Sequence, residues 1–213
     1  MKPRVSHKDY WEIVGAQKRP LDGDAWIHRY INKISEGPLR ILDLGCGYGN
    51  ETKYLLSAGH DVLSVDLSPS IIERMQLAVP NSNGIVFDMA EDDWGIFQTS
   101  QFDVVVASLS LHYFGELATV RIMDEVKRIL KPDGKLYARV NSASDVAHGA
   151  GDGIMIEKNF YIDNKRGTTK RFFDENDVKR FFKPLGDIKF KEIQSTWNGK
   201  AKPVFEIVVV NKK

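Results

Sequence analysis

Residues 41–52 read Ile41-Leu42-Asp43-Leu44-Gly45-Cys46-Gly47-Tyr48-Gly49-Asn50-Glu51-Thr52. An apolar, strand-like run passes straight into three alternate glycines and then into a stretch that reads as helix. Such a turn brings bare backbone N–H groups and a helix N-terminus up to whatever binds there, and a Cβ at the glycines would block that approach. A lone Gly-x-Gly-x-Gly also suits a tight turn with no ligand, so its neighbours decide. Asp66 closes the next apolar run, Asp61 to Asp66, where a carboxylate can accept hydrogen bonds from ribose hydroxyls. Asp88 follows the third run, Gly84 to Phe87, and Met89 adds apolar surface for a base.

Further strands are expected near Arg40 to Leu44, Phe102 to Ala107 and Lys135 to Asn141, with helices between them. This alternation is the pattern of βα units and a mainly parallel sheet. Ser68-Pro69 predicts a helix start, serine capping and proline first, with Ile71, Ile72, Met75 and Ala78 turned inward. Glu116 to Leu130 predicts a helix burying Val120, Met123, Val126 and Leu130, stopped by the turn Lys131-Pro132-Asp133-Gly134. Asp24 to Ile34 reads as an amphipathic helix behind an aromatic arm holding Tyr10 and Trp11, and residues 1–38 form a candidate lid. Residues 142–173 read as a glycine-rich loop insertion near an acceptor rim. Asp174 to Phe182 reads as a short helix. The runs Ile188 to Gln194 and Val204 to Val210, joined by Trp197-Asn198-Gly199, predict a closing antiparallel hairpin.

Composition sets the outer bounds. The 213 residues are 42% hydrophobic and 28% charged, with a formal net charge of +1, as expected of one folded domain spanning 1–213. No apolar run approaches the length of a spanning helix, and MKPRVSHKDYWEIV lacks the apolar core of a secretory signal. The single Cys46 rules out an intramolecular disulfide, and a cytoplasmic location without a membrane partner is the expectation. The near-neutral total conceals a split: residues 1–157 carry 16 basic and 22 acidic side chains, residues 158–213 carry 14 and 7. Lys165, Arg166, Lys170 and Arg171 fall where the acceptor side is expected, which points toward an acceptor with negative charge.

Five phrases in this order, Asp43-Leu44-Gly45-Cys46-Gly47-Tyr48-Gly49, Val65-Asp66-Leu67-Ser68, Phe87-Asp88-Met89, Phe102-Asp103-Val104-Val105-Val106 and Leu130-Lys131-Pro132-Asp133-Gly134-Lys135-Leu136, resemble the class I S-adenosylmethionine-dependent methyltransferases. The resemblance implies an α/β, Rossmann-like, doubly wound seven-stranded sheet, mostly parallel with an antiparallel last strand. It implies S-adenosylmethionine as cofactor and S-adenosylhomocysteine as product. Asp43 and the Gly45-Cys46-Gly47 backbone would hold the methionine portion, Asp66 the ribose hydroxyls, and Asp88 with Met89 the adenine, with Leu67 also among the cofactor-binding residues. The Ala107 and Ser108 carbonyls would face the methionine ammonium.

Acceptor chemistry is narrowed by what stands at the fourth-strand end. Ala107-Ser108-Leu109-Ser110 replaces the Asp/Asn-Pro-Pro-aromatic signature of exocyclic-amine enzymes, and no carboxylate pair marks a metal-dependent catechol enzyme, so no metal is expected. Carbon-5 pyrimidine methylation needs a cysteine nucleophile, and Cys46 lies in the glycine loop. His112 is the candidate catalytic residue, either as general base for an O, N or S acceptor or only as a packing group. Tyr10, Trp11, Tyr113, Arg139 and Asn141 are the candidate acceptor-side residues. The expected function is methyl transfer to a small molecule. The alternatives are RNA methylation on ribose or a ring nitrogen, and a cofactor-binding protein without turnover. A dinucleotide oxidoreductase is a further competitor, since Tyr161-Ile162-Asp163-Asn164-Lys165 has the Tyr-x-x-x-Lys spacing that resembles short-chain dehydrogenases. That pair needs a helix, and Asp163-Asn164 with Gly167 favours a turn.

Overall fold

The computed structural model describes residues 6–17, 26–31, 37–164, 166–197 and 200–212. In chain order the elements are α1 (His7–Gly15), α2 (His28–Ile31), β1 (Arg40–Leu44), α3 (Asn50–Ser57), β2 (Asp61–Asp66), α4 (Pro69–Ala78), β3 (Asn83–Val86) and β4 (Phe102–Ser108). There follow α5 (Glu116–Ile129), β5 (Leu130–Asn141), β6 (Ile154–Glu157), β7 (Phe160–Ile162), β8 (Thr169–Arg171), α6 (Glu175–Phe182), β9 (Gly186–Trp197) and β10 (Lys200–Asn211).

Seven strands form one sheet in the order β3-β2-β1-β4-β5-β10-β9. β1 pairs in parallel with both β2 and β4, and β10 is inserted antiparallel between β5 and β9. The parallel strands are apolar on both faces because helices cover both. Leu42, Leu44, Val105 and Ala107 look toward α5 and α6, whereas Ile41, Val104 and Val106 join Trp26, Ile27, Ile31 and Leu55 on the other side. From β1 the chain winds outward through β2 to β3, then returns to β4 on the opposite flank. The crevice at this switch point, outside the carboxyl ends of β1 and β4, is where ligands bind in open α/β sheets. No helix among the described residues is long and apolar enough to cross a membrane.

Several expectations are corrected. Residues 142–173 are not an irregular loop: β6, β7 and β8 make a small antiparallel sheet. Its strands are three or four residues long, and β6 exposes Ile154, Met155 and Ile156 in succession, so no alternation marked them. In α5 the inward face is Thr119, Ile122, Met123, Val126 and Ile129, while Val120 is exposed. Thr119 can face inward because its hydroxyl donates to Gly115 O at 2.9 Å. Ala78 is likewise exposed, and Val79 is buried in its stead. Leu130 begins β5, and Lys131 to Gly134 bulge out of the ladder between Phe102↔Leu130 and Val104↔Lys135, with Asp133 at φ 57°. Of the helix expected over 24–34, α2 is what the described residues contain. Asn198-Gly199 lies outside them, although the ladder closes on Trp197↔Lys200 as a hairpin requires.

α6 starts with a reciprocal capping box in which Asp174 and Asp177 each accept from the other's backbone N–H. Asp174 also accepts from Lys158 Nζ at 2.9 Å and Asn159 Nδ2 at 3.2 Å, tying the small sheet to α6. Asp174→Ala is therefore expected to cost about 1–2 kcal/mol, read as a lower urea midpoint with unchanged slope. An unchanged midpoint would show that the cap contributes nothing.

Candidate active site

A cavity of about 1370 Å³ opens at the switch point. Typical small-molecule sites are roughly 300–1,000 Å³, so this one has room for two ligands side by side. Its floor is the glycine loop. Gly45 N and Cys46 N donate to Val65 O at 2.8 and 2.9 Å, which folds the turn back on β2. Gly45 has φ 76°, and a Cβ there would collide with the Ser110 side chain, whose Oγ donates to Leu44 O at 2.6 Å. Gly47, at φ 54°, faces open space instead.

The cofactor candidates divide by position. Gly45, Cys46, Gly47, Asp66, Leu67, Asp88, Met89 and Ser108 line the cavity. Asp43 and Ala107 do not: both are buried beneath it. Asp43 accepts from Thr52 Oγ1 at 2.6 Å, and Thr52 reaches Ser64 at 2.8 Å, so the carboxylate braces the turn from below. Burial, with the negative charges of Glu51 and Asp66, pushes its carboxyl above the usual range. Asp66 accepts from Gly47 N and Ser68 N, both at 3.1 Å, and burial raises its pKa to about 6 despite those bonds. Asp88 accepts from Ala90 N at 2.9 Å, and Met89 is fixed by Trp94 Nε1 donating to its carbonyl at 3.1 Å.

α1 roofs the cavity. Tyr48 Oη donates to Val14 O at 2.7 Å, Arg74 donates to Ala16 O at 3.0 Å, and Gly15 packs against Ser68, Ser70 and Ile71. Tyr10 and Trp11 sit edge to face at 5.2 Å, and Trp11 meets Tyr113 at 5.3 Å. Leu109, at φ 56°, and the helical turn Leu111–Tyr113 put His112 into the cavity wall, 2% exposed. Its Nδ1 has no hydrogen-bond partner among the described residues. Burial, with the charges of Lys170, Lys202 and His7, holds the imidazole well below its ordinary pKa, so it is neutral at pH 7. Asn141, fully buried at the end of β5, lines the cavity with neither amide atom hydrogen-bonded to any described residue. Arg139 donates to Ser195 Oγ at 2.8 Å and stacks 5.5 Å from the Trp26 ring.

Three features were not legible from motifs. Glu51 lines the cavity beside Ser108 and Arg139. Trp26 Nε1 donates to Ser108 Oγ at 3.0 Å. Lys202 is buried against Asp145 at 3.2 Å. Arg171, expected to flank the acceptor, faces away instead: it pairs with Glu157 and stacks on Phe160 and Phe181, while Lys170 faces the cavity. Successive residues of a strand point to opposite sides, so one of the two had to turn inward. Tyr161 lies on β7 rather than a helix, which removes the dehydrogenase geometry; Lys165 lies outside the described residues. Among the described residues no three His, Cys, Asp or Glu side chains gather as metal ligands.

Residues 42–138 match the family model described as a methyltransferase domain. That match covers a little under half of the chain and likens it to a methyltransferase domain. The chain is 37% identical over 108 residues to an uncharacterized methyltransferase of Synechocystis, covering 51% of this chain and 49% of that one. It is 28% identical over 159 residues to a tRNA N(3)-methylcytidine methyltransferase of Drosophila melanogaster, covering 70% and 49%. The chain thus spans about half the length of both curated relatives. A solved S-adenosylmethionine-dependent methyltransferase from Methanosarcina mazei superimposes with a TM-score of 0.72 at 21% identity, covering 90% of this chain and all of that one, a likeness of fold.

The two loop glycines of this domain make opposite demands. Gly45→Ala is expected to cost well over the roughly 1–2 kcal/mol of a left-handed Cβ, because Ser110 must also move. Gly47→Ala should cost no more than that backbone strain yet weaken S-adenosylhomocysteine binding about tenfold or more, since its methyl enters the cavity. Urea unfolding and titration calorimetry separate the two; equal effects on both properties would refute the distinction.

Proposed function

We propose that this chain transfers the methyl group of S-adenosylmethionine to an oxygen, nitrogen or sulfur atom of a small molecule. The observation that carries this reading is the two-sided cavity: the glycine loop with Asp66 on one side, and the unpartnered polar atoms of His112 and Asn141 on the other. The open space before Gly47 and the Asp66 carboxylate, which lines the cavity while accepting from the Gly47 and Ser68 N–H groups, fit the cofactor. The Gly45 to Gly47 backbone would hold the methionine portion, Asp43 acting from below as a brace. Asp66 and Leu67 would take the ribose, Asp88 and Met89 the adenine, and Ser108 with the buried Ala107 carbonyl the ammonium.

When bound, the cofactor supplies an already activated methyl group on a sulfonium, so holding the acceptor in line can furnish much of the rate. The chain's own task is then to position, to exclude water and to move one proton. α1, with Tyr10 and Trp11, closes the roof as a lid, and Tyr113 walls the acceptor side. His112, neutral at pH 7, has a lone pair for the proton that leaves an O–H, N–H or S–H acceptor. The cations Lys170 and Lys202 disfavour a lasting imidazolium there, which speeds release of that proton to solvent.

RNA methylation is the second reading, favoured by the likeness to the tRNA enzyme. Labelled methyl transfer from S-adenosylmethionine into a metabolite extract and into total tRNA decides between them. The expected result is label in small molecules. At saturating cofactor, the acid limb of the pH–rate profile should lie below pH 6.5, because His112 protonates only there, and His112→Gln should remove it with about a 100-fold loss of kcat. Label in tRNA alone would overturn the small-molecule reading, and a His112→Gln rate within a few-fold of wild type would remove the base.

A further inference from the structure

Several cationic side chains line the cavity, and three of those placed around the candidate acceptor residues have answering groups. Lys202 pairs with Asp145 at 3.2 Å, Arg166 approaches Asp163 at 3.8 Å, and Arg139 donates to Ser195 and faces Glu51 and Glu206 electrostatically. Lys170, half-buried on β8, differs. Its ammonium lies 5.9 Å from the Phe172 ring centroid and has no hydrogen bond or ion pair among the described residues. Withdrawing an ammonium from water beside other cations is costly unless something supplies the counter-charge. The same cavity presents the unpartnered amide of fully buried Asn141. One cation without a hydrogen bond or ion pair and one amide without a partner among the described residues, both lining one cavity, are what an anionic group requires: a charge and a directional donor.

We propose, building on the methyl-transfer reading above, that the acceptor is a small anion whose carboxylate or phosphate group is received by Lys170 and hydrogen-bonded by Asn141. The charge split of the sequence then has a local counterpart, since Glu51, Asp66 and Asp88 line the cavity near the glycine loop, and Arg166, Lys170 and Lys202 line it elsewhere, with Asp152 and Asp163 among them. An anionic acceptor is repelled from the carboxylates that would hold the ribose and adenine. Polymer backbones are met by exposed lysines, whereas Lys170 is recessed in a cavity, which favours a small acceptor over RNA. Burial, with repulsion from Lys202 and Arg166, lowers the Lys170 pKa to about 8, against the opposing pull of Asp163 and Asp145. Anion binding should therefore be constant at neutral pH and weaken as pH rises through about 8.

The test is an NMR titration of the full chain saturated with S-adenosylhomocysteine, using sodium acetate and inorganic phosphate as separate probes. Saturable shifts at Asn141 and His112 are expected with at least one probe, and the better probe tells carboxylate from phosphate. Lys170→Met should weaken that binding about tenfold or more, the worth of a hydrogen bond to a charged group. Lys170→Arg should restore it and abolish the loss of acetate binding above pH 8, while S-adenosylhomocysteine affinity stays unchanged in both variants. Asn141→Asp, nearly isosteric, should repel both probes and serves if Lys170→Met does not fold. No saturable shift with either probe, or a Lys170→Met affinity within twofold of wild type, overturns the proposal. So does tight, steeply salt-dependent tRNA binding that Lys170→Met abolishes. A wild-type spectrum that does not respond to S-adenosylhomocysteine would instead sink the methyltransferase reading on which the proposal rests.

Discussion

The contact on which the rest depends is the approach of the Gly45 α-carbon to Ser110, which leaves no room for a side chain. It locks the turn after β1 to the segment after β4, the two strands that flank the topological switch point. Ser110 completes the lock by donating to Leu44 O, and the buried Asp43, Thr52 and Ser64 chain holds the turn from beneath. With that junction fixed, Gly47 faces the cavity, the Gly47 N–H reaches Asp66, and the turn carrying His112 starts directly after Ser110. The glycine-loop floor and the His112 wall of the cavity are in this sense parts of one joint.

The second organising feature is electrostatic. Buried carboxylates and buried ammonium groups each carry a desolvation cost, and the chain gathers both kinds around one cavity. Asp66 and Glu51 are raised by burial, and Lys170 and Lys202 are lowered by it. Such groups are retained at sites where a ligand supplies what the protein does not. Lys202 is structural as well, since it answers Asp145, which in turn holds His148 at 2.6 Å.

How much of this was legible in the sequence follows physical lines. β1, β2 and β4 read clearly because strands buried on both faces are continuous apolar runs, and Ser68-Pro69 marked α4 because its cap is local chemistry. The antiparallel β9–β10 pair was visible in its two alternating runs. The small sheet β6–β8 was not, since its strands are short and β6 turns apolar residues to solvent. In the site, spacing found the residues that line the floor but not their depth: Asp43 and Ala107 carry motif letters yet sit below the cavity. Burial and pairing of long side chains is a tertiary fact, which is why Glu51 and Lys202 were missed and Lys170 could not be told from Arg171.

The central claim is that the cavity floor takes S-adenosyl cofactors and reads their ribose with Asp66. Calorimetric titration of the wild-type chain and Asp66→Asn with S-adenosylhomocysteine and with NAD, at pH 7.5 where the Asp66 carboxyl is ionised, tests it most directly. One S-adenosylhomocysteine should bind per chain, about tenfold or more weakly in Asp66→Asn because a carboxylate acceptor is lost, while NAD should bind neither. Preferential NAD binding, or S-adenosylhomocysteine binding indifferent to Asp66→Asn, would contradict the account.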